Sequence, residues 1–331
     1  MPCDKDIVNV AISWHVKFSS CIIKHMKFKP LGGGKGILQL NGTEIKTPVL
    51  IIATSRAAVP HLTPDTYPKV PVAGIYGEHF VDQSGFSSNA SKVQPVNCGL
   101  KLVAARPPSG KLLQKPNSDT SIALSTFQGT QLMTIESLAQ SLYHFNADIV
   151  VAPHDAPNKS GDIGKNRVAK MRQRSRRWME EFAKKKPDSV VLLAEVSKEL
   201  DEEDYISLGN GIYATDTEVS VAAKEDHLRV CGVKLNLDEI EGLVGKFDVF
   251  YPNIDEFTDN GRALVDKSTW LDLGDPRYAG DMHELGTTGY TLGYVHHLLD
   301  AREMTANVIL QQHNLQVAQT FFAELVDNPL K

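Results

Sequence analysis

The strongest constraint on the fold of this chain is an alternation along its length. Short, nearly continuous apolar runs at residues 48–53, 72–76, 122–126, 148–152, 190–194, 228–232 and 247–251 are separated by stretches with helical periodicity at 134–146, 164–186, 216–225 and 237–244. A strand buried on both faces reads as an unbroken apolar run, whereas a half-exposed one alternates. Strand and helix taking turns with short connections therefore predict a parallel α/β fold. Periodicity alone does not choose between a closed barrel and an open sheet. No G-x-G-x-x-G opens a helix after the first run, which argues against a dinucleotide-binding open sheet. The segment 83–118 is rich in Ser, Asn, Pro and Lys and reads as a long surface loop. Past residue 255 the pattern changes to Gly/Asp-rich loops followed by two helices.

With 331 residues, 42% of them hydrophobic, the chain can bury a full core without disulfides or metals. Cys3, Cys21, Cys98 and Cys231 are scattered with no C-x-x-C pair, the pattern of reduced thiols in a cytosolic protein. No window approaches a membrane span of about 18 apolar residues, so stable membrane insertion is not expected. The N-terminal region has its basic residues after an apolar stretch rather than before it, the reverse of a secretory signal. Residues 1–28 are left as an unassigned extension, 29–255 as the α/β core, and 256–331 as its completion plus a helical subdomain.

Several motifs occur in a telling order. Gly36 to Leu40 is followed by Thr47-Pro48-Val49, then by Ala53-Thr-Ser-Arg56 and His61-Leu-Thr63. In mid-chain a helix opens at Asn166-Arg167 and carries Arg174-Ser-Arg-Arg-Trp178. Phe247-Asp248 stands four residues before Pro252, and Tyr294-Val-His-His-Leu-Leu299 precedes His313-Asn-Leu315. Together these resemble the tRNA-guanine (queuine) transglycosylase family, in particular its accessory, non-catalytic branch. The resemblance implies a (β/α)8 TIM-type barrel with a C-terminal helical subdomain. The family's chemistry is double displacement at an anomeric carbon. A carboxylate attacks C1′ of the wobble nucleotide, guanine leaves, and a deazaguanine takes its place.

Carried over residue by residue, the resemblance puts Asp248 at the nucleophile position, at the carboxyl end of a strand where barrel active sites are built. An aspartate capping a loop or helix is the plainer reading of the same residue. The base-reading carboxylate falls on His154 and Asp155. The family's Gln-Gly-Gly is replaced by residues 193–198, Leu-Ala-Glu-Val-Ser-Lys, so side chains enter space that glycines leave to the base. His313 is the remnant of a zinc site whose three cysteine positions hold Met282, Glu284 and Thr287. No cofactor is expected; zinc returns only if Asp281, His283, Glu284 and His313 rebuild a site. The helix at 164–186 concentrates Arg167, Lys170, Arg172, Arg174, Arg176 and Arg177 against few acids. That is either an RNA-phosphate footprint or a solvated face. The resulting expectation is a chain that is not an enzyme by itself. It would pair with a catalytic queuine tRNA-ribosyltransferase subunit and with tRNA in the cytoplasm, with attachment to an organelle surface left open. The alternatives are an active base-exchange enzyme or nucleosidase using Asp248, and a stand-alone RNA-binding scaffold.

Overall fold

The computed structural model describes residues 26–55, 58–67, 69–77, 96–108, 116–126, 129–155, 163–197, 203–219 and 226–328. Arg56, Cys3, Cys21, residues 220–225 of the expected third helix and most of the expected loop 83–118 lie outside them.

Eight parallel strands close a barrel: β4 (Val49–Ala53), β5 (Val70–Tyr76), β6 (Cys98–Ala104), β9 (Ile149–Val151), β10 (Val191–Val196), β11 (Gly211–Ala214), β12 (Leu228–Leu235) and β13 (Val249–Pro252), which pairs back with β4. Each strand pairs with its sequence neighbours. The register can be followed once round from Val249, through Val49, Val72, Leu102, Leu193 and Val230. It returns after four two-residue offsets, a stagger of eight residues. That is the shear of a (β/α)8 barrel. Residues at alternate positions point inward, and Val49, Ile51, Val72, Leu100, Leu102, Ile149, Val191, Leu193, Val230 and Val249 form the packed interior.

Two expectations are corrected here. Cys98–Ala104, expected as part of a surface loop, is the third barrel strand, paired with both β5 and β9. The run at 122–126, expected among the parallel strands, is β7 (Ser121–Thr126) of an antiparallel hairpin with β8 (Gly129–Thr134), inserted between the third and fourth barrel strands. The short strand β11 was not anticipated.

The lower end of the barrel is covered by an antiparallel sheet, β1 (Lys27–Gly32), β2 (Lys35–Leu40) and β3 (Thr43–Thr47). At its β2–β3 turn, Asn41 donates to Asp148 Oδ1 at 2.5 Å, and the other carboxylate oxygen accepts from Lys101 N, so Asp148 ties the turn to the start of β9. The outside carries α1 (Ile135–Phe145), α2 (Lys165–Lys185), α3 (Glu203–Ile206), α4 (Leu237–Glu241) and α5 (Ile254–Asp259). Helix α2 buries Met171, Ser175, Trp178, Met179 and Phe182, one face at helical spacing.

After β13 come a two-stranded sheet, β14 (Arg262–Leu264) with β15 (Trp270–Asp272), and the helices α6 (Leu292–Asp300) and α7 (Met304–Asp327). The Leu315, Ala318, Phe322 and Leu325 face of α7 packs on Leu50, Ile52 and Phe250, covering the seam where the first and last barrel strands meet. Lys35 fastens the β1–β2 turn to the same helix, its ammonium donating to the carbonyls of Val326 and Asn328 at 2.6 Å each. No helix among the described residues is long and apolar enough to cross a membrane.

Candidate functional site

Barrel active sites are assembled at the carboxyl ends of the strands. Here strand alternation turns Tyr76, Glu195, Tyr213 and Tyr251 inward at that end, with Glu195 beside Tyr213 in register. The rings of Tyr213 and Tyr251 meet edge to face, 6.3 Å apart at 74°. Tyr76 comes in from the opposite wall. A Cβ at Gly74 would lie 2.1 Å from the Tyr76 hydroxyl and 3.1 Å from that of Tyr251, and a Cβ at Gly232 would strike the Tyr213 ring at 2.2 Å. Two glycines thus make space for tyrosine rings rather than for a ligand. Burial pushes all three phenols well above their ordinary pKa. Their hydroxyls are buried and face one another, that of Tyr251 between those of Tyr76 and Tyr213, with no partner outside the three among the described residues.

Around this plug runs a buried charged network. His154 and Asp155 follow β9 directly. His154 Nδ1 lies 2.6 Å from Glu195 Oε2, both side chains less than a tenth exposed. Arg106, just past β6, donates to the His154 carbonyl at 3.3 Å, and desolvation lowers its pKa. The Tyr205 hydroxyl is also buried, and its pKa is raised by desolvation and then by the Glu195 charge. Asp155 faces outward from this group. Its carboxylate accepts from Asn117 (2.7 Å), Arg167 (3.2 Å) and Arg174 (2.5 Å), while its backbone N–H donates to Ser175. The two residues at the expected base-reading position are therefore both near the mouth and both occupied internally.

Asp248 is elsewhere. It precedes Val249, the first residue of β13, and so stands at the amino end of the strand, at the bottom of the barrel. This corrects the expectation of a carboxyl-end nucleophile. Its carboxylate accepts from Arg229 Nη2 (2.7 Å), Arg229 Nε (3.0 Å) and Arg229 N (2.9 Å), and Arg229 also donates to the Gly245 carbonyl. Burial raises the Asp248 pKa while the Arg229 contacts hold it down. The inward position at the carboxyl end of this strand is held by Tyr251, whose phenol has no role as a carboxylate nucleophile.

A family model described as queuine tRNA-ribosyltransferase matches residues 244–327. Queuine tRNA-ribosyltransferase accessory subunit 2 of Schizosaccharomyces pombe is 23% identical over a 345-residue alignment that covers 88% of this chain and 77% of that protein, so the similarity takes in most of the barrel. Accessory subunit 2 of Aedes aegypti is 37% identical over 73 residues, 20% of this chain and 17% of its own. A queuine tRNA-ribosyltransferase-like protein of Plasmodium falciparum is 38% identical over 58 residues, 17% of this chain and 24% of its own. Residues 244–327 thus resemble the queuine tRNA-ribosyltransferase domain, and a weaker similarity to an accessory subunit extends over most of the chain.

The residues expected to be the remnant of a zinc site do not fit a metal. His313 is buried on α7 with Nε2 2.6 Å from the Leu264 carbonyl, and its other ring edge faces Gly286. Burial lowers its pKa, which disfavours the charged ring, and the ring is bound to the backbone. Met282 is 78% exposed, Thr287 bonds Gln316, and the His283 side chain, 90% exposed, is held by Asp281. No group of three potential ligands converges among the described residues. His296, half-buried, lies 2.8 Å from the Leu273 carbonyl. Elemental analysis of protein purified without added metal is expected to give well under one zinc per chain, and a chelator to leave the melting temperature unchanged. Stoichiometric zinc that disappears in His313→Ala would overturn this.

The basic helix of the queuine tRNA-ribosyltransferase resemblance divides in two. Arg174 donates to Asp155 and also to Asp119 (2.8 Å), which lies just before β7. Arg177 and Trp178 both donate to the Asp119 carbonyl. With Arg167 on Asp155, these residues pin the inserted hairpin to the barrel. Lys165, Lys170 and Arg176 project from the exposed side of the helix, Arg176 in an i,i+4 pair with Glu180. Sequence reasoning missed Glu195, Arg106 and the tyrosines. Glu195 was visible in the segment that replaces Gln-Gly-Gly, but Arg106 and Tyr76 reach the mouth only through the fold.

Proposed function

We propose that this chain is the non-catalytic accessory subunit of a queuine tRNA-ribosyltransferase heterodimer, supporting exchange of guanine for queuine at the tRNA wobble position. One observation carries this reading. Tyrosine rings fill the barrel mouth where a base would be held, and the expected nucleophile is ion-paired at the opposite end. Double displacement needs a free carboxylate within reach of the anomeric carbon and a polar pocket to read the base; here the mouth carboxylate, Glu195, is taken by His154, and tyrosine rings occupy the space.

The partner surface in this reading lies on the C-terminal subdomain. Tyr290 and Tyr294 stack 5.5 Å apart at 18° while 42% and 44% exposed, and Met282 is exposed close by. Exposed aromatic and methionine side chains are the residue types that anchor protein interfaces. The chain would work in the cytoplasm, where its substrate tRNA is found.

The test is expression with and without a catalytic queuine tRNA-ribosyltransferase subunit, followed by release of radiolabelled guanine from tRNA. The chain alone is expected to release none, and the co-purified pair to turn over. Turnover by the isolated chain would sink the reading. The tRNA contact is assigned to the exposed side of α2. Replacing Lys165, Lys170 and Arg176 by Gln is expected to weaken tRNA binding by the heterodimer. Its log K against log salt slope should flatten by roughly 0.7–0.9 per lost phosphate contact, with little change in anticodon preference. An unchanged slope would leave α2 as a solvated face.

A further inference from the structure

Beside the barrel mouth, the loops after β12 and β13 and the β14–β15 sheet enclose a small cavity of about 140 Å³. Leu237, Leu264, Phe257 and Trp270 supply its apolar walls. Trp270 is 41% exposed, with the Phe257 ring against it at 6.3 Å and 65°. The guanidinium of Arg262 stands over the indole at 4.3 Å from the ring centroid, so this indole already accepts a stacked guanidinium.

The polar lining divides into groups already used and groups left over. Asn236 and Glu239 are spent on the capping box of α4. The Lys267 ammonium is held by Glu241 at 2.5 Å. The Asn253 amide donates to Glu256 at 2.7 Å, which leaves its buried Oδ1 without a partner. The Asp238 carboxylate is exposed and makes no ion pair among the described residues. Both leftover groups are acceptors. An occupant must therefore bring N–H donors on a flat face that stacks on aromatic rings, within a volume suited to a guanidinium and part of its stem. Of the charged side chains lining the pocket, Lys267 is neutralised by Glu241 and Asp238 keeps its charge, which favours a cation and opposes the phosphate of a nucleotide.

We propose that this pocket takes an arginine side chain contributed by a protein partner. The inference does not rest on the accessory-subunit reading. It is tested by titrating the tryptophan fluorescence of the full chain with a blocked Ala-Arg-Ala tripeptide, the matching lysine tripeptide and guanosine. The arginine peptide is expected to give a saturable change with a dissociation constant in the millimolar range, weakened about tenfold in Asp238→Asn. The signal should vanish in Trp270→Phe while calorimetry still detects binding. No saturation by the arginine peptide, equal saturation by the lysine peptide, or saturation by guanosine instead would each overturn the proposal.

Discussion

Replacing Asp248 by alanine is expected to lower the unfolding free energy by about 3–5 kcal/mol, far more than a loop-capping aspartate would. The residue is fully buried and takes three hydrogen bonds from Arg229, so truncation strands a guanidinium that folding has partly desolvated. Arg229 keeps its bond to the Gly245 carbonyl and a quarter of its side chain in water, which places the loss near the lower end. Chemical denaturation of Asp248→Ala, Arg229→Ala and the double variant measures it. A coupling energy near zero in that cycle would mean the pair is not the fastening described here. The pH dependence has a definite sign. Burial raises the folded-state pKa above the ordinary 3.8, so the folded chain holds this proton more tightly than the unfolded one. The contribution of Asp248 to stability thus declines as pH rises from 3.8 through its raised folded value and is flat above it. Acid unfolding of the protein must come from other carboxylates.

Tyr251→Ala is expected to cost about 3–5 kcal/mol by opening a void in the packed barrel, whereas Tyr251→Phe is expected to change stability by under about 1 kcal/mol. The contrast follows from the ring filling the mouth while its hydroxyl meets only the neighbouring hydroxyls of Tyr76 and Tyr213 and adds little. Thermal and urea melts of both variants decide it. If Phe costs as much as Ala, the hydroxyl belongs to a bonded network, and the mouth is organised by polarity rather than by volume. Tyr251→Asp is not expected to confer base exchange, because Tyr76 and Tyr213 still occupy the space.

The barrel was legible where strands are short, apolar and unbroken, as at 48–53 and 190–194, because burial on both faces leaves no other composition open. Cys98–Ala104 escaped because Gly99 and Lys101 interrupt its apolar pattern and its flanks are polar; Lys101 is tolerated because its side chain is only half-buried. β11 is only four residues long and opens on glycine. The error at Asp248 was one of position rather than of residue. The run 247–251 already has its second residue at the amino end, and strand parity gives the inward carboxyl-end place to Tyr251. The charges of α2 were legible, but their partners were not. Asp119 and Asp155 lie 55 and 19 residues from Arg174, and nothing local to a helix reveals such distant acceptors.

The two bonds from Lys35 to the end of α7 connect residues 291 and 293 positions apart. During synthesis at roughly 5–20 residues per second, the β1–β2 hairpin therefore waits on the order of a quarter of a minute to a minute for its anchor to be made. The seam between β4 and β13 waits for the same helix, since α7 covers it. For that interval the first barrel strand has an open edge, the exposure that invites pairing with another chain. A chaperone is most needed by this protein late in translation, and a truncation that removes only the last turns of α7 should harm its yield more than its length suggests.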